Sequence, residues 1–157
     1  MSAKSDKIAE LDAAYDRFRS LIADLPGDAF SEVWLGDWDL DRLLAHFAGW
    51  FREITPAFAR VSAGMRPVAE GVSYDDTEGW NASFVANAPH GKDALHEFDH
   101  AFEAYRDAAH STPEDLFGMD PAKGRPRIGD RLVENAGINH FAEHQEEVES
   151  WLKSRSS

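Results

Sequence analysis

The chain has 157 residues, a formal net charge of -13 and no cysteine. This length suits one domain, which we predict over residues 1–157. The lack of cysteine excludes disulfides, thiolate zinc sites and a protein thiol nucleophile, so any thiol chemistry would need a small-molecule thiol. The negative charge repels phosphate backbones, and we therefore expect no nucleic-acid partner.

No apolar run approaches the roughly 18 residues that a membrane helix needs. The polar start, Met1 to Asp6, passes directly into a helical pattern and does not resemble a signal peptide. We therefore expect no membrane association and a cytoplasmic location.

Apolar residues recur at helical spacing in four long stretches. The predicted long helices run from Ser5 to Ala23, from Asp39 to about Gly64, from Lys92 to Ala109 and from Ile128 to Lys153. A short helix over about Asp76 to Asn87 lies in the crossover between the second and third long helices. Thr112, as a cap before Pro113, predicts another short helix. We expect residues 154–157 to form a frayed tail. No stretch alternates with the period of a strand, so the sequence predicts an all-α four-helix bundle with a long crossover between helices 2 and 3.

The tripeptide His-Phe-Ala occurs twice, beginning at His46 and at His140, and the second copy is followed by His144. His140 and His144 are four residues apart, which places both side chains on one face of a helix. These two imidazoles, with His46 from a facing helix, predict a three-histidine metal site with open coordination positions. Imidazole ligands suit several divalent transition metals, of which we favour zinc or nickel. The alternative is that each is a core histidine that hydrogen-bonds to a carbonyl or a carboxylate.

His96 and His100 have the same spacing on the third long helix, but they lie on its polar flank. We interpret this pair as a solvated surface, where an ion site would be fortuitous. Glu143 and Glu147 are candidates to support a metal ligand or to act as a base. For both glutamates, ordinary exposed helix residues are the favoured interpretation.

Several aromatic residues could line a substrate pocket beside the metal. The candidates are Trp50 on the second helix, and Trp80 and Asn81 in the crossover. For Trp50, packing in the core is the favoured alternative. Trp80 and Asn81 are more informative because a crossover can cover one end of a bundle.

One segment resembles the second-helix motif of DinB-like (YfiT-like) four-helix bundle proteins. It reads Gly36-Asp37-Trp38-Asp39-Leu40-Asp41-Arg42-Leu43-Leu44-Ala45-His46-Phe47-Ala48-Gly49-Trp50. Within that superfamily the motifs are most similar to those of the ClbS/DfsB family. The segments from Tyr74 to Asn81 and from Asn139 to Leu152 match in order and spacing. The resemblance implies a bundle that often forms homodimers, with a three-residue metal site carried onto His46, His140 and His144.

Relatives in this superfamily include thiol-dependent transferases and isomerases, metal-dependent hydrolases and self-resistance proteins. The resemblance therefore implies a metal-dependent enzyme, a hydrolase or a small-thiol S-transferase, that acts on a small electrophilic or toxic metabolite. A low-molecular-weight thiol is a candidate cosubstrate. The alternative is a non-catalytic protein of the same fold that binds and sequesters a small molecule. A structural or DNA-associated stress protein is a third class, which the net charge disfavours.

Overall fold

The computed structural model describes residues 2–156 and is predominantly helical. Its helices are α1 (Ala3–Ile22), α2 (Leu40–Ser62), α3 (Thr77–Val85), α4 (Gly91–His110), α5 (Ile128–Val133) and α6 (Asn139–Ser156). Two 3-10 turns cover Gly27–Ser31 and Glu114–Leu116, and a π-helical turn, Glu134–Ile138, joins α5 to α6. The prediction of an all-α fold is confirmed, and the crossover between α2 and α4 contains the expected short helix.

The residues form two compact units, of which one spans Leu25–Asp107. Its core is aromatic: Phe51 of α2 packs against Phe98, Phe102 and Tyr105 of α4, with ring centroids 4.9 to 6.4 Å apart. All four rings are at most 4% exposed. Burial raises the pKa of the Tyr105 phenol well above its usual range, because the phenolate would lose its hydration there.

The other unit contains the residues up to Asp24 and those from Ala108 onward. Its core lies between α1 and α6, where Phe141 is fully buried. The Phe141 ring lies 5.5 Å from that of Phe18 and 6.1 Å from that of Tyr15. Burying a phenylalanine side chain contributes roughly 2–3 kcal/mol, so this contact anchors the part of α6 that carries the predicted metal ligands.

The structure corrects three details of the sequence prediction. Thr112 does not cap a following helix; its hydroxyl donates a 2.9 Å hydrogen bond to the carbonyl oxygen of Ala108, in α4. The loop before α5 contains a two-residue antiparallel hairpin, β1 (Met119–Asp120) with β2 (Arg125–Pro126), where we expected no strand. The last long helix is not uniform, because the π-helical turn interrupts it. The frayed tail over residues 154–157 stays a prediction: α6 ends at Ser156, and Ser157 lies outside the described residues.

None of the helices among residues 2–156 is both long enough and apolar enough to cross a bilayer. The organisation as one domain over residues 1–157 stays a prediction.

Candidate metal centre

His46 lies in the second turn of α2, and the start of that helix is fixed by local hydrogen bonds. The carboxylate of the N-cap residue Asp39 accepts from the backbone N–H of Arg42 at 2.9 Å and from the Arg42 guanidinium at 2.8 Å. A side chain that accepts from a free N–H of the first turn stabilises a helix by about 1 kcal/mol. This cap therefore sets the register in which His46 faces the interior.

The His46 side chain is buried, with 6% of the residue exposed. Its ring centroid lies 5.1 Å from that of Trp38, which precedes the helix, and 6.1 Å from that of Phe47. These two aromatic rings restrict the rotation of the imidazole. A ligand held in one orientation loses less conformational entropy when it binds an ion.

His140 and His144 lie one turn apart on α6, and their ring centroids are 4.9 Å apart. An ion about 2.1 Å from an imidazole nitrogen lies roughly 3.2 Å from that ring's centroid, so two rings can share it at separations up to about 6.4 Å. The observed separation fits a shared ion. The prediction that the i, i+4 spacing places both rings together is confirmed.

Glu147 contacts His144 directly: Oε1 of the carboxylate lies 2.5 Å from Nδ1 of the imidazole. An ionised carboxylate can only accept, so in the neutral imidazole Nδ1 carries the proton and Nε2 presents its lone pair. Metal-binding histidines commonly have such a carboxylate partner, which fixes the tautomer and the ring orientation. We expected an ordinary surface glutamate at this position. The i, i+3 spacing from His144 permits this contact, but Glu143 has the same spacing from His140, so the spacing alone does not distinguish the two glutamates.

The π-helical turn before α6 sets the direction of the α6 side chains. A π turn holds one extra residue, and one residue of an α-helix corresponds to about 100° of rotation. Lys7 of α1 anchors this turn through a 2.7 Å hydrogen bond from its ammonium to Glu134. Burial alone would lower the pKa of Lys7, but this bond and the charges of Glu134, Glu10 and Asp130 raise it above its usual value.

The three predicted ligands form a group that could hold one metal ion. Each of His46, His140 and His144 offers one nitrogen, and these nitrogens all lie within 4.8 Å of one another. His144 is 9% exposed, and His140 is intermediate in exposure. Three imidazoles form a ligand set that suits zinc or nickel. They leave coordination positions open for water or a substrate.

The three predicted pocket residues lie close together, but they pack against one another. The Trp50 indole N–H donates a 2.7 Å hydrogen bond to Oδ1 of Asn81, and the Trp50 and Trp80 centroids are 6.0 Å apart. Tyr74 completes the cluster, 5.5 Å from Trp50 and 5.2 Å from Trp80. This arrangement fastens the crossover to α2. The role of these residues in binding substrate stays a prediction.

Residues 11–134 match the sequence profile of the mycothiol maleylpyruvate isomerase N-terminal domain family. The chain belongs to this family. The resemblance to the DinB-like superfamily, which contains this family, is thereby confirmed. A search of curated proteins gave no match.

Solved structures share the fold at low sequence identity. The structure of "Sibling Lethal Factor Precursor - DfsB" is 14% identical, with a TM-score of 0.78, and the alignment covers 99% of this chain and 98% of that one. A Streptococcus pneumoniae protein is 13% identical, with a TM-score of 0.76 and coverage of 96% and 90%. The mycothiol-dependent maleylpyruvate isomerase is 14% identical, with a TM-score of 0.66, and 92% of this chain aligns with 61% of that one. These likenesses support the bundle fold.

Besides the contact between Glu147 and His144, the structure contains a buried polar contact of Asp41 that sequence reasoning missed. Asp41, in the first turn of α2, is fully buried. Its carboxylate accepts from the backbone N–H of Gly91 at 2.8 Å and lies 2.7 Å from Nδ1 of His90. The contact links the loop before α4 to the start of the helix that carries His46. No local pattern reveals it, because the partners are about 50 residues apart in sequence.

Proposed function

We propose that this protein is a metal-dependent enzyme that acts on a small electrophilic molecule, with His46, His140 and His144 as the metal ligands. The reaction would be a hydrolysis or the transfer of a small thiol. The single observation that carries the proposal is the grouping of the three histidine nitrogens within 4.8 Å of one another.

The supporting residues agree with this assignment. Glu147 accepts from Nδ1 of His144, which leaves Nε2 as the nitrogen available to an ion. Trp38 and Phe47 limit the rotation of His46 and reduce the access of water to it. A bound divalent ion would supply Lewis acidity, which lowers the pKa of a coordinated water or thiol and polarises a substrate carbonyl.

A small thiol as cosubstrate is supported by the family. The family description names mycothiol, and one solved neighbour of the same fold is a mycothiol-dependent isomerase. The chain has no cysteine, so it cannot provide a thiol of its own. Zinc is favoured if a thiol is the cosubstrate, because thiolates are good zinc ligands. A homodimer and a cytoplasmic location stay predictions.

Metal analysis of protein purified without a histidine tag tests the proposal. We expect at least one equivalent of zinc or nickel in the wild type and the loss of one equivalent in His140→Ala. His110→Ala is the matched control, since His110 is exposed and outside the group. Metal-free wild-type protein that takes up no ion on reconstitution would refute the metal centre.

Two assays then separate the reaction types. Electrophilic esters and epoxides would be incubated with the zinc-loaded protein, with and without a low-molecular-weight thiol. Turnover without thiol supports a hydrolase, and turnover only with thiol supports a transferase. Loss of either activity in His140→Ala, but not in His110→Ala, assigns it to the metal centre.

The second candidate function is binding and sequestration of a small molecule. An open cleft between α2, α3 and α4 favours it, because its volume of about 510 Å³ lies within the range of small-molecule sites. Gly49 and Phe84 are among its lining residues, and Arg52 and Glu97 provide charged groups at its edge. Metal-free protein that binds an electrophile tightly without turnover would support this function over catalysis.

A further inference from the structure

A second pair of histidines lies on α4, outside the proposed metal centre. His96 and His100 are four residues apart and both are exposed. Their ring centroids are 5.8 Å apart, at an interplanar angle of 70°. By the same geometry as above, two rings can share an ion at separations up to about 6.4 Å, so this pair can chelate one ion.

Glu97, which directly follows His96, completes the pattern His-Glu-x-x-His. On a helix this pattern is typical of zinc hydrolases, in which the glutamate acts as a base. Here the Glu97 carboxylate forms an ion pair with the Arg52 guanidinium of α2. In the part of the chain that the structure describes, no third histidine or carboxylate joins the pair as His46 joins His140 and His144. The geometry therefore supports ion binding and not peptide hydrolysis.

We propose that His96 and His100 form a surface site for one divalent transition-metal ion, with water in the remaining coordination positions. Neutral imidazole suits copper, nickel and zinc, and copper binds most tightly in this series. The two histidines line a shallow depression of about 380 Å³ together with Arg52, Glu97, Ala101 and Ala104. An ion there is open to solvent.

The electrostatics of the site favour a cation. Arg52 is the only cationic residue among those that line the depression, and Glu97 neutralises it. The chain as a whole has a net charge of -13, which raises the local concentration of cations. The two imidazoles therefore need no further anionic ligand to attract a divalent ion.

This site is independent of the proposed function. It adds a second equivalent of metal that any elemental analysis of the proposed centre would count. The two sites are separated by variants: His140→Ala removes only the proposed centre, and His96→Ala removes only the surface site.

Calorimetric titration with NiCl₂ at a pH above the ordinary pKa of histidine tests the inference. It uses the protein with both His140→Ala and His144→Ala, which keeps only one imidazole of the proposed centre. We expect one equivalent of nickel to bind that protein, and its affinity to fall by about tenfold or more when either His96→Ala or His100→Ala is added, because a chelate becomes a single ligand. His110→Ala, added to the same background, is the matched control for a lone exposed imidazole.

The outcome decides between a chelate and a collection of single ligands. Loss of the nickel site in both His96→Ala and His100→Ala, with no change in His110→Ala, supports the inference. Absence of a nickel site in the protein with both His140→Ala and His144→Ala, or equal losses in all three added variants, overturns it. Circular dichroism would verify that each variant is folded, and since both side chains are exposed we expect no loss of structure.

Discussion

Replacing Glu147 by glutamine measures how much its carboxylate contributes to metal binding by His144. The side-chain amide can still accept from Nδ1 of the imidazole, but the negative charge is lost. Removing such a carboxylate partner typically lowers metal affinity by about 10- to 100-fold, which corresponds to about 1.4–2.7 kcal/mol. The Glu147 side chain is 37% exposed, so water screens part of its charge. We therefore expect a loss of about tenfold, at the lower end of that range.

The assay is a competition titration of zinc against a chromophoric chelator, performed on the His96→Ala background so that only the proposed centre is measured. Glu147→Ala, which removes the acceptor as well as the charge, should lower the affinity further than Glu147→Gln. Glu146→Gln is the matched control, because it makes the same charge change at an exposed position next in sequence.

Equal losses in Glu146→Gln and Glu147→Gln would refute this reasoning, because the effect would then follow net charge and not the contact with His144. Unchanged affinity in Glu147→Gln would refute it as well. Absence of any zinc binding in the His96→Ala protein is a different result, and it would refute the metal centre itself.

Three further predictions concern stability. A Cβ added at Gly49 would lie 2.2 Å from Cγ of Phe84. Gly49→Ala should therefore lower the free energy of unfolding, measured by urea titration, by about 2 kcal/mol after the better helix propensity of alanine is included. A change below about 0.5 kcal/mol would contradict this. Phe141→Ala empties a fully buried position and should lower the free energy of unfolding by about 3–5 kcal/mol, measured in the same way. A decrease of only about 1 kcal/mol would indicate that the core is loosely packed there. Burial, the hydrogen bond to Glu53 and the charge of Glu53 raise the pKa of Tyr74 to about 12. A raised pKa favours the neutral phenol in the folded state, so this contribution to stability is complete below pH ~10 and is lost as the pH rises from about 10 to about 12. Tyr74→Phe should remove that part of the alkaline loss of stability, and a wild-type phenol that titrates near pH ~10 by ultraviolet absorbance would contradict the assignment.

The features predicted correctly from the sequence are those with local signals. Two helices were predicted to start at Asp39 and at about Asp76, and α2 and α3 begin at the residues that follow. Each aspartate side chain accepts from a backbone N–H three residues later, at 2.9 and 3.0 Å. The i, i+4 spacing of His140 and His144 needs only a helix to place both rings on one face. Capping and helical periodicity act within one turn, so a sequence pattern is sufficient to predict them.

The features that were missed depend on contacts between distant residues. The π-helical turn has no composition signal of its own, and the ion pair that anchors it joins Lys7 to Glu134, 127 residues away. The bond from Gly91 to Asp41 likewise spans 50 residues. Thr112 looked like a cap from its sequence, but its hydroxyl bonds backwards into α4. Tertiary contacts override such local preferences, and one sequence does not reveal them.

The extra residue in the turn Glu134–Ile138 is absorbed within that turn, so the helix on either side keeps its orientation. Deleting Ala136 should therefore convert the segment from Ile128 to Ser156 into an uninterrupted α-helix that still presents Phe141 and both imidazoles to the same side. Deleting a residue from a regular α-helix would instead rotate every later side chain by about 100° about the helix axis. A natural relative without this insertion would carry its metal ligands one residue closer in sequence to the start of α5.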